Sequence, residues 1–457
     1  MNDKPISVRI ASPDWASLRR ALFTEDGDEN AAALLCGSAD SESGLRLLVK
    51  QILPVRLEAY NDRTSFHLEV APAFYNEVVT TALRDNLHPV IIHSHPHPGQ
   101  ARYSTSDDYG ESRLLPVLQT LVPGKTVASL LVTRISAAGR MLVKGQFRSL
   151  HSLVVVGQRT ETISLSHSDK GPSALEKVFD RQVRAFGVEG QIALSRLKIG
   201  IVGVGGTGSV VAEQLARAGV KDLLLVDSDS IEDSNVSRLF GSYPDDVGTK
   251  KVKVIAAHVR KLGAKSVRQI ADTALRQPIL MHLRDRDLVF SCVDNDRSRS
   301  ILNRFAHQYL IPVVDVGVRL DGRTGAIQRA AGRVSLVGSG MICLRCSEHV
   351  SAERIRAESI PIPERRSLQR EGYVMGIDEP VPAVVSLNVT IAGLAVTAGL
   401  NMFVKFTGGI QPLNQLYDAT DGILFTAKDN HEGECDVCSE STGVKALGDL
   451  QIVSAYD

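Results

Sequence analysis

The chain has 457 residues, too many for one hydrophobic core, so two or three domains are expected. Its 52 Lys and Arg balance 52 Asp and Glu, which removes the cationic footprint of a nucleic-acid binder or of a protein held on an anionic membrane surface. The start lacks a basic leader with an apolar h-region, and no apolar run of about 18 residues stands out, so a cytoplasmic protein is expected whose six cysteines are metal ligands or buried thiols.

Residues 1–157 alternate short apolar runs ("AAALLCGS", "LRLLVKQILPV", "VASLLVTR") with helical stretches such as "PAFYNEVVTTALRDN", the pattern of a mixed α/β domain. The run "PVIIHSH" is extended, and residues i and i+2 of a strand share a face, so His93 and His95 present both imidazoles to one metal. Pro96 stops the strand. The loop after it can return Asp107 as a third ligand, leaving one tetrahedral position open for water. Zinc acidifies such a water and polarises a carbonyl, and a nearby carboxylate must then take the proton as general base.

The spacing "HSHP", seven residues, Ser104, two residues, Asp107 resembles the H-x-H-P-x7-S-x2-D signature of the JAMM metalloproteases, zinc isopeptidases of the MPN fold that cleave after ubiquitin-like tails. The resemblance implies an MPN-type α/β fold, with His93, His95 and Asp107 as catalytic zinc ligands, Ser104 steadying the oxyanion and Glu29 as the base. The family's glutamate stands seven residues before the glycine closing the next strand. Here Asn30 holds that place relative to Gly37, so a local bulge is expected to bring Glu29 into the site.

Residues 158–175, containing "QRTETISLSHSDKGPS", are polar and aperiodic and read as a linker. From 176 to 457 the pattern becomes helix, the strand "KIGIVGV", a glycine turn, the helix "SVVAEQLARAG" and the strand "DLLLVDSD", a Rossmann-like βαβ unit. In "GVGGTG", Gly203, Gly205, Gly206 and Gly208 let the backbone approach phosphates at a helix N-terminus. Asp227 ends the next strand where a dehydrogenase would hold a ribose, which makes hydride transfer the first rival. The stretch that follows favours a triphosphate: Asn235, Arg238 and Lys251 offer a hydrogen bond and two cations, and Asp294 in "SCVDN" suits Mg²⁺.

Together with "DRQ", "EGQ", "DSD" at Asp229, "SNVSR" and "VGTKK", these residues resemble the ThiF/MoeB-type adenylyltransferases of the ubiquitin-activating superfamily, over about residues 176–440. The resemblance implies ATP and Mg²⁺ as cofactors, adenylation of the C-terminal carboxylate of a ubiquitin-like or sulfur-carrier protein, and a homodimer in which Arg181 reaches the nucleotide of the other subunit. It also implies a structural Cys₄ zinc site made by Cys343, Cys346, Cys435 and Cys438, two C-x2-C pairs with no open position.

Cys36 and Cys292 lie in apolar runs and read as core thiols, and no cysteine lies between Cys346 and Cys435 to accept a thioester. The Pro-rich, charged segment "SAERIRAESIPIPERRSLQREG" reads as a surface crossover. The combined expectation is a bifunctional enzyme of a bacterial ubiquitin-like conjugation system, working with an E2-like conjugating protein. Sulfur-carrier processing and a non-catalytic scaffold are the alternatives.

Overall fold

The computed structural model describes residues 4–165, 177–323, 326–361, 363–365, 367, 382–427, 434–440 and 442–451, and arranges them around two large sheets. The first sheet has nine strands. They are β1 (Ile6–Ala11), β2 (Ala31–Ser41), β3 (Gly44–Pro54), β6 (His88–Ser94), β7 (Ala128–Val132), β8 (Ala137–Val143), β9 (Gln146–Ser149), β10 (Ser152–Val156) and β11 (Glu161–Ser164), in the order β11-β10-β1-β3-β2-β6-β7-β8-β9. Strands β4 (Tyr60–Arg63) and β5 (Leu68–Val70) make a separate hairpin. Every residue of β6 is buried, as its near-continuous apolar run requires of a strand covered on both faces.

Helices α1 (Ser12–Leu22) and α2 (Pro72–Arg84) begin with proline in the first turn, where the missing N–H costs nothing. Helix α3 (Thr105–Leu121) starts from a reciprocal cap: Ser104 Oγ accepts from Asp107 N and Asp107 Oδ2 accepts from Ser104 N. Strand β11 lies inside the segment expected as a linker and pairs antiparallel with β10. Its alternating Thr162 and Ile163 serve a sheet edge, so the polar composition marked an exposed edge strand there rather than free chain.

The second sheet follows the order β14-β13-β12-β15-β16-β17-β18-β19. Its strands are β12 (Lys198–Val202), β13 (Asp222–Val226), β14 (Ser266–Ile270), β15 (Leu288–Ser291), β16 (Val313–Arg323), β17 (Ala326–Val337), β18 (Asn414–Asp418) and β19 (Ile423–Thr426). The first five are parallel and the last three antiparallel. Around them run α4 (Asp180–Arg196), α5 (Gly206–Arg217), the short α6 (Asp233–Val236), α7 (Lys251–Lys261), α8 (Gln277–Leu283), α9 (Asp296–Tyr309), α10 (Ala352–Ser359) and α11 (Val385–Val404). Within the parallel part the order reverses between β12 and β15, and in such sheets ligands sit beyond the carboxyl ends of the strands at the reversal.

Two expectations change here. The crossover was expected to lie wholly on the surface, yet α10 packs on α9 with Ile355 buried, because its first half carries an amphipathic turn pattern. Residues 362, 366 and 368–372 of that crossover fall outside the described residues. Helix α11, at 20 residues and a mean hydropathy of 1.6, is long and apolar enough to cross a membrane, although no such run was expected. Of that window 61% is buried, and its Ile391, Ala395 and Ala398 join the main core cluster against α5 and β16.

The two sheets share a core. Ala39, Leu48, Val154 and Val156 of the first cluster with Val202, Leu224 and Val226 of the second, and with Ala446. Arg46 donates to the carbonyls of Arg284, Asp285 and Arg286, and Arg9 to Leu310 O and Asp287. The tail then runs along β2: Asp449 N donates to Ser38 O, and Asp449 Oδ2 accepts from Asp40 N and Arg284. Gly37 is needed there, since a Cβ would stand 2.1 Å from Ala446 O.

Candidate functional site

At the end of β6 the structure brings His93, His95 and Asp107 together, with one ligand atom from each lying within 4.8 Å of the others. His93 Nε2 is 3.3 Å from Asp107 Oδ1, and His95 Nε2 is 3.4 Å from Asp107 Oδ2. His93 Nε2 is buried and, beyond its ion pair with Asp107, has no hydrogen bond among the described residues, as suits a nitrogen left for a metal. Two imidazoles and one carboxylate are a donor set that fits zinc with an open position.

Glu29 completes the cluster through register. Ala31 pairs with His93 across the antiparallel β2–β6 ladder, and Ser94 N donating to Asn30 O carries that ladder one residue further. Opposed residues share a face, so Glu29 falls opposite His95, with its Oε1 3.5 Å from His95 Nε2. Asn30 is on the other face, where its N–H donates to Ser94 Oγ and its side chain bonds Thr24, Asp28 and Arg63. The bulge expected on β2 is absent between Ala31 and Cys36: the slip lies on β3, where Lys50 is passed over. None is needed, because facing is set by the β6 partner.

Burial is the largest influence on Glu29 and raises its carboxyl above the ordinary value, which makes it a better proton acceptor. Burial also works against the Asp107 carboxylate, but the His93 and His95 imidazoles and the Ser104 amide outweigh it and hold Asp107 well below the ordinary range. Ser104 Oγ is engaged as an acceptor by Asp107 N, so its own hydrogen remains to donate.

A buried support escaped the sequence reading. Glu111 accepts from Ser129 Oγ and from Arg140 Nε, and the Arg140 guanidinium stacks on Tyr103, which leans against His93. The signal was available, since residues 104, 107, 108 and 111 fall on one face of a helix.

At the reversal point of the second sheet, Gly203 has φ 83°, and a Cβ on it would stand 2.6 Å from Cys292 O. A Cβ on Gly208 would be 1.9 Å from Gly203 O, while Gly205 faces open space. The loop is thus packed tight behind and bare in front, a cradle that suits phosphates. Asp227, whose carboxyl burial raises, accepts from Val204 N and from Asp229 N at 2.8 Å each, and so braces the loop as well as lying at its edge.

Of the remaining expected residues, Lys251, Arg238, Asn235 and Asp294 have protein partners in this structure. Lys251 Nζ bonds Asp229 at 2.8 Å, Arg238 donates to Ser234 O with its stem over Gly206, and buried Asn235 caps Glu232 N. Asp294 is exposed just past β15 and accepts from Asn295 Nδ2. Arg181 is exposed on the first turn of α4 and bonds none of these groups among the described residues. Asn388 of α11, buried with its amide nitrogen 2.5 Å from where a Gly206 Cβ would be, is a neighbour of the loop that no local motif marked.

The four cysteines also converge. Cys343 and Cys435 sulfurs are 4.0 Å apart, those of Cys346 and Cys438 3.5 Å, and all four lie within 4.8 Å. Tetrahedral zinc with Zn–S bonds near 2.3 Å wants sulfurs about 3.8 Å apart.

The sequence model of the ThiF family matches residues 179–437. The chain is 26% identical over 270 residues to the SAMP-activating enzyme E1 of Haloferax volcanii, covering 59% of this chain and 90% of that protein. It is 30% identical over 228 residues to ubiquitin-like modifier-activating enzyme 5 of Oryza sativa subsp. japonica, covering 47% and 49% respectively. It is 26% identical over 292 residues to adenylyltransferase and sulfurtransferase MOCS3 of Caenorhabditis briggsae, covering 63% and 65%. It thus spans about half the length of the plant relative and nine-tenths of the archaeal one.

Proposed function

The chain belongs to the ThiF family, and from that premise we propose a cytoplasmic enzyme with two activities on one object, the C-terminal tail of a ubiquitin-like protein. The unit from 176 onward adenylates the tail carboxylate with ATP. The unit of residues 1–157, which the family match does not cover, is a zinc peptidase or isopeptidase of JAMM type that cleaves at the tail. The single observation that carries the second half is the placement of Glu29 opposite His95 beside His93 and Asp107.

In the peptidase half, His93, His95 and Asp107 would hold zinc, which supplies Lewis acidity to a bound water and a carbonyl. Glu29 takes the proton of the attacking water and returns it to the departing amine, for which its raised, desolvated carboxyl is suited. Ser104 donates its hydroxyl hydrogen to the oxyanion.

In the adenylating half, a tail carboxylate oxygen attacks the α-phosphorus and the bond to the β-phosphate breaks, releasing pyrophosphate. The glycine loop cradles phosphates, Asp227 and Asp229 edge the pocket, and Asn235, Arg238 and Lys251 meet phosphate oxygens, Lys251 leaving Asp229 to do so. Asp294 would hold Mg²⁺. Arg181, exposed on the first turn of α4, suits an arginine given to a second copy in a homodimer.

No cysteine lies between Cys346 and Cys435, so the acyl group must leave to an external nucleophile. An E2-like thiol in a bacterial conjugation system is the first reading. A sulfur donor to a carrier protein is the second, favoured by the name of the Caenorhabditis briggsae relative. Mass spectrometry of ubiquitin-fold proteins with extended tails, incubated with and without ATP, tests both halves. Shortened tails without ATP and AMP adducts with it are expected, and neither product on any of them overturns the reading.

A further inference from the structure

We propose that Arg299 is a positioning residue for the nucleotide site, fixing the strand end that carries Asp294. The inference rests on the adenylation reading of that site. The β15–β16 ladder runs from Val289 opposite Val313 to Ser291 opposite Asp315 and then stops. Beyond that last pair the two strands part, and the Arg299 guanidinium spans the gap: one nitrogen donates to Val293 O at 2.8 Å and to Val316 O at 3.1 Å. Val293 is the residue before Asp294. From the other side the same segment is pressed by the glycine loop, since a Cβ on Gly203 would stand 2.6 Å from Cys292 O.

The guanidinium is itself held. Asp315 is fully buried, with Arg299 Nε 3.6 Å from its Oδ1 and Arg333 donating to its Oδ2 at 2.5 Å. Ser291 Oγ, at the end of β15, donates to the same carboxylate at 2.8 Å. Arg333 continues the row to Ser335 and Asn414, which meets His349. Two arginines on one carboxylate orient each other, and the rigid guanidinium keeps Nε facing Asp315 while a terminal nitrogen bridges the two carbonyls, two separate places that the single nitrogen of a lysine cannot occupy together. A plain core ion pair needs neither carbonyl. Arg299 acts by denying the Cys292–Asp294 segment its freedom, and misplacement of a ligand by about 1 Å is worth on the order of 100-fold.

The experiment is calorimetric binding of α,β-methylene-ATP to the full chain over a series of Mg²⁺ concentrations. Arg299→Ala is expected to raise the Mg²⁺ concentration for half-maximal tightening by about 10-fold, while binding without Mg²⁺ stays within about twofold. Arg299→Lys, which keeps a charge opposite Asp315, is read in the same way and is expected to shift the midpoint by at least about threefold. In an Asp294→Ala background Arg299→Ala should add nothing, as two residues acting through one contact do. A Mg²⁺ midpoint unchanged in both Arg299 variants, with Asp294→Ala still abolishing the response, overturns the role of Arg299 alone. Wild type that binds no nucleotide at any Mg²⁺ concentration overturns the adenylation reading instead.

Discussion

Glu29 stands two residues beyond the last β2–β6 pair, opposite His95, with 3.5 Å between its Oε1 and the imidazole Nε2, while its neighbour Asn30 is turned to the opposite face. The facing of position 29 is therefore a property of strand pairing and does not depend on the distance to Gly37.

Glu29→Gln should keep zinc bound, because the amide leaves the three ligands untouched, while peptide cleavage falls by about two to four orders of magnitude. Adding Asn30→Glu to that variant should restore nothing, since position 30 points at Ser94 and Leu22. Metal content and cleavage rate are measured together; a rescue by Asn30→Glu would refute the facing.

His95→Ala should remove peptide cleavage and one equivalent of zinc and leave ATP–pyrophosphate exchange within about twofold of wild type, because the two sites share no side chain. Parallel loss of both activities at unchanged thermal stability would show that the two reactions use a common centre.

Asp294→Ala should stop pyrophosphate exchange, and Cys292→Ala should leave it running. Burial pushes the Cys36 and Cys292 thiols far above their ordinary value, so neither supplies a thiolate near neutral pH. A reductant-sensitive modifier adduct on wild type that disappears in Cys36→Ala or Cys292→Ala would contradict this.

Acid should destabilise the fold before its carboxylates are titrated. Burial, with Lys125 nearby, lowers His88 from 6.5 to about 4, and burial with Arg333 lowers His349 to about 4. Between those values the unfolded chain binds protons that the folded chain refuses, so this stability is full above about pH 6.5 and is lost as pH falls toward 4. Urea midpoints at pH 7 and pH 5 measure it, and His88→Gln, which can still accept from Thr126 N, should flatten the slope. Equal midpoints in the wild type would dismiss the effect.

What the sequence made legible was local. The His-x-His strand end with its returning aspartate, the glycine turn and the two C-x2-C pairs are short-range spacings, and the structure gathers each of them. The count from Gly37 pointed to Asn30 because it measured along one strand, whereas facing is decided by the partner strand. Glu111 could have been found from helical spacing, but its partner Arg140 lies on β8 and could not. Arg299, Asp315 and Arg333 could not, nor could Arg9 and Arg46, because their meeting depends on sheet order between residues far apart in sequence. Helix α11 passes a membrane test on composition, and only its neighbours reveal it as core.

The docking of residues 446–449 on β2 sets an order of assembly. Asp40 and Asp449 are 409 positions apart, yet the edge of β2 at Gly37–Asp40 is covered by that tail. On a ribosome adding about 5–20 residues per second, Ala39 and Leu48 are made tens of seconds before Ala446 arrives to cover them. Throughout that interval the first-made unit carries an open sheet edge and a bare apolar patch, the surface on which nascent chains associate. Truncation after residue 443 leaves the Gly37–Asp40 edge of β2 open in the finished chain, and such a chain should form soluble aggregates at concentrations where the full chain stays dispersed.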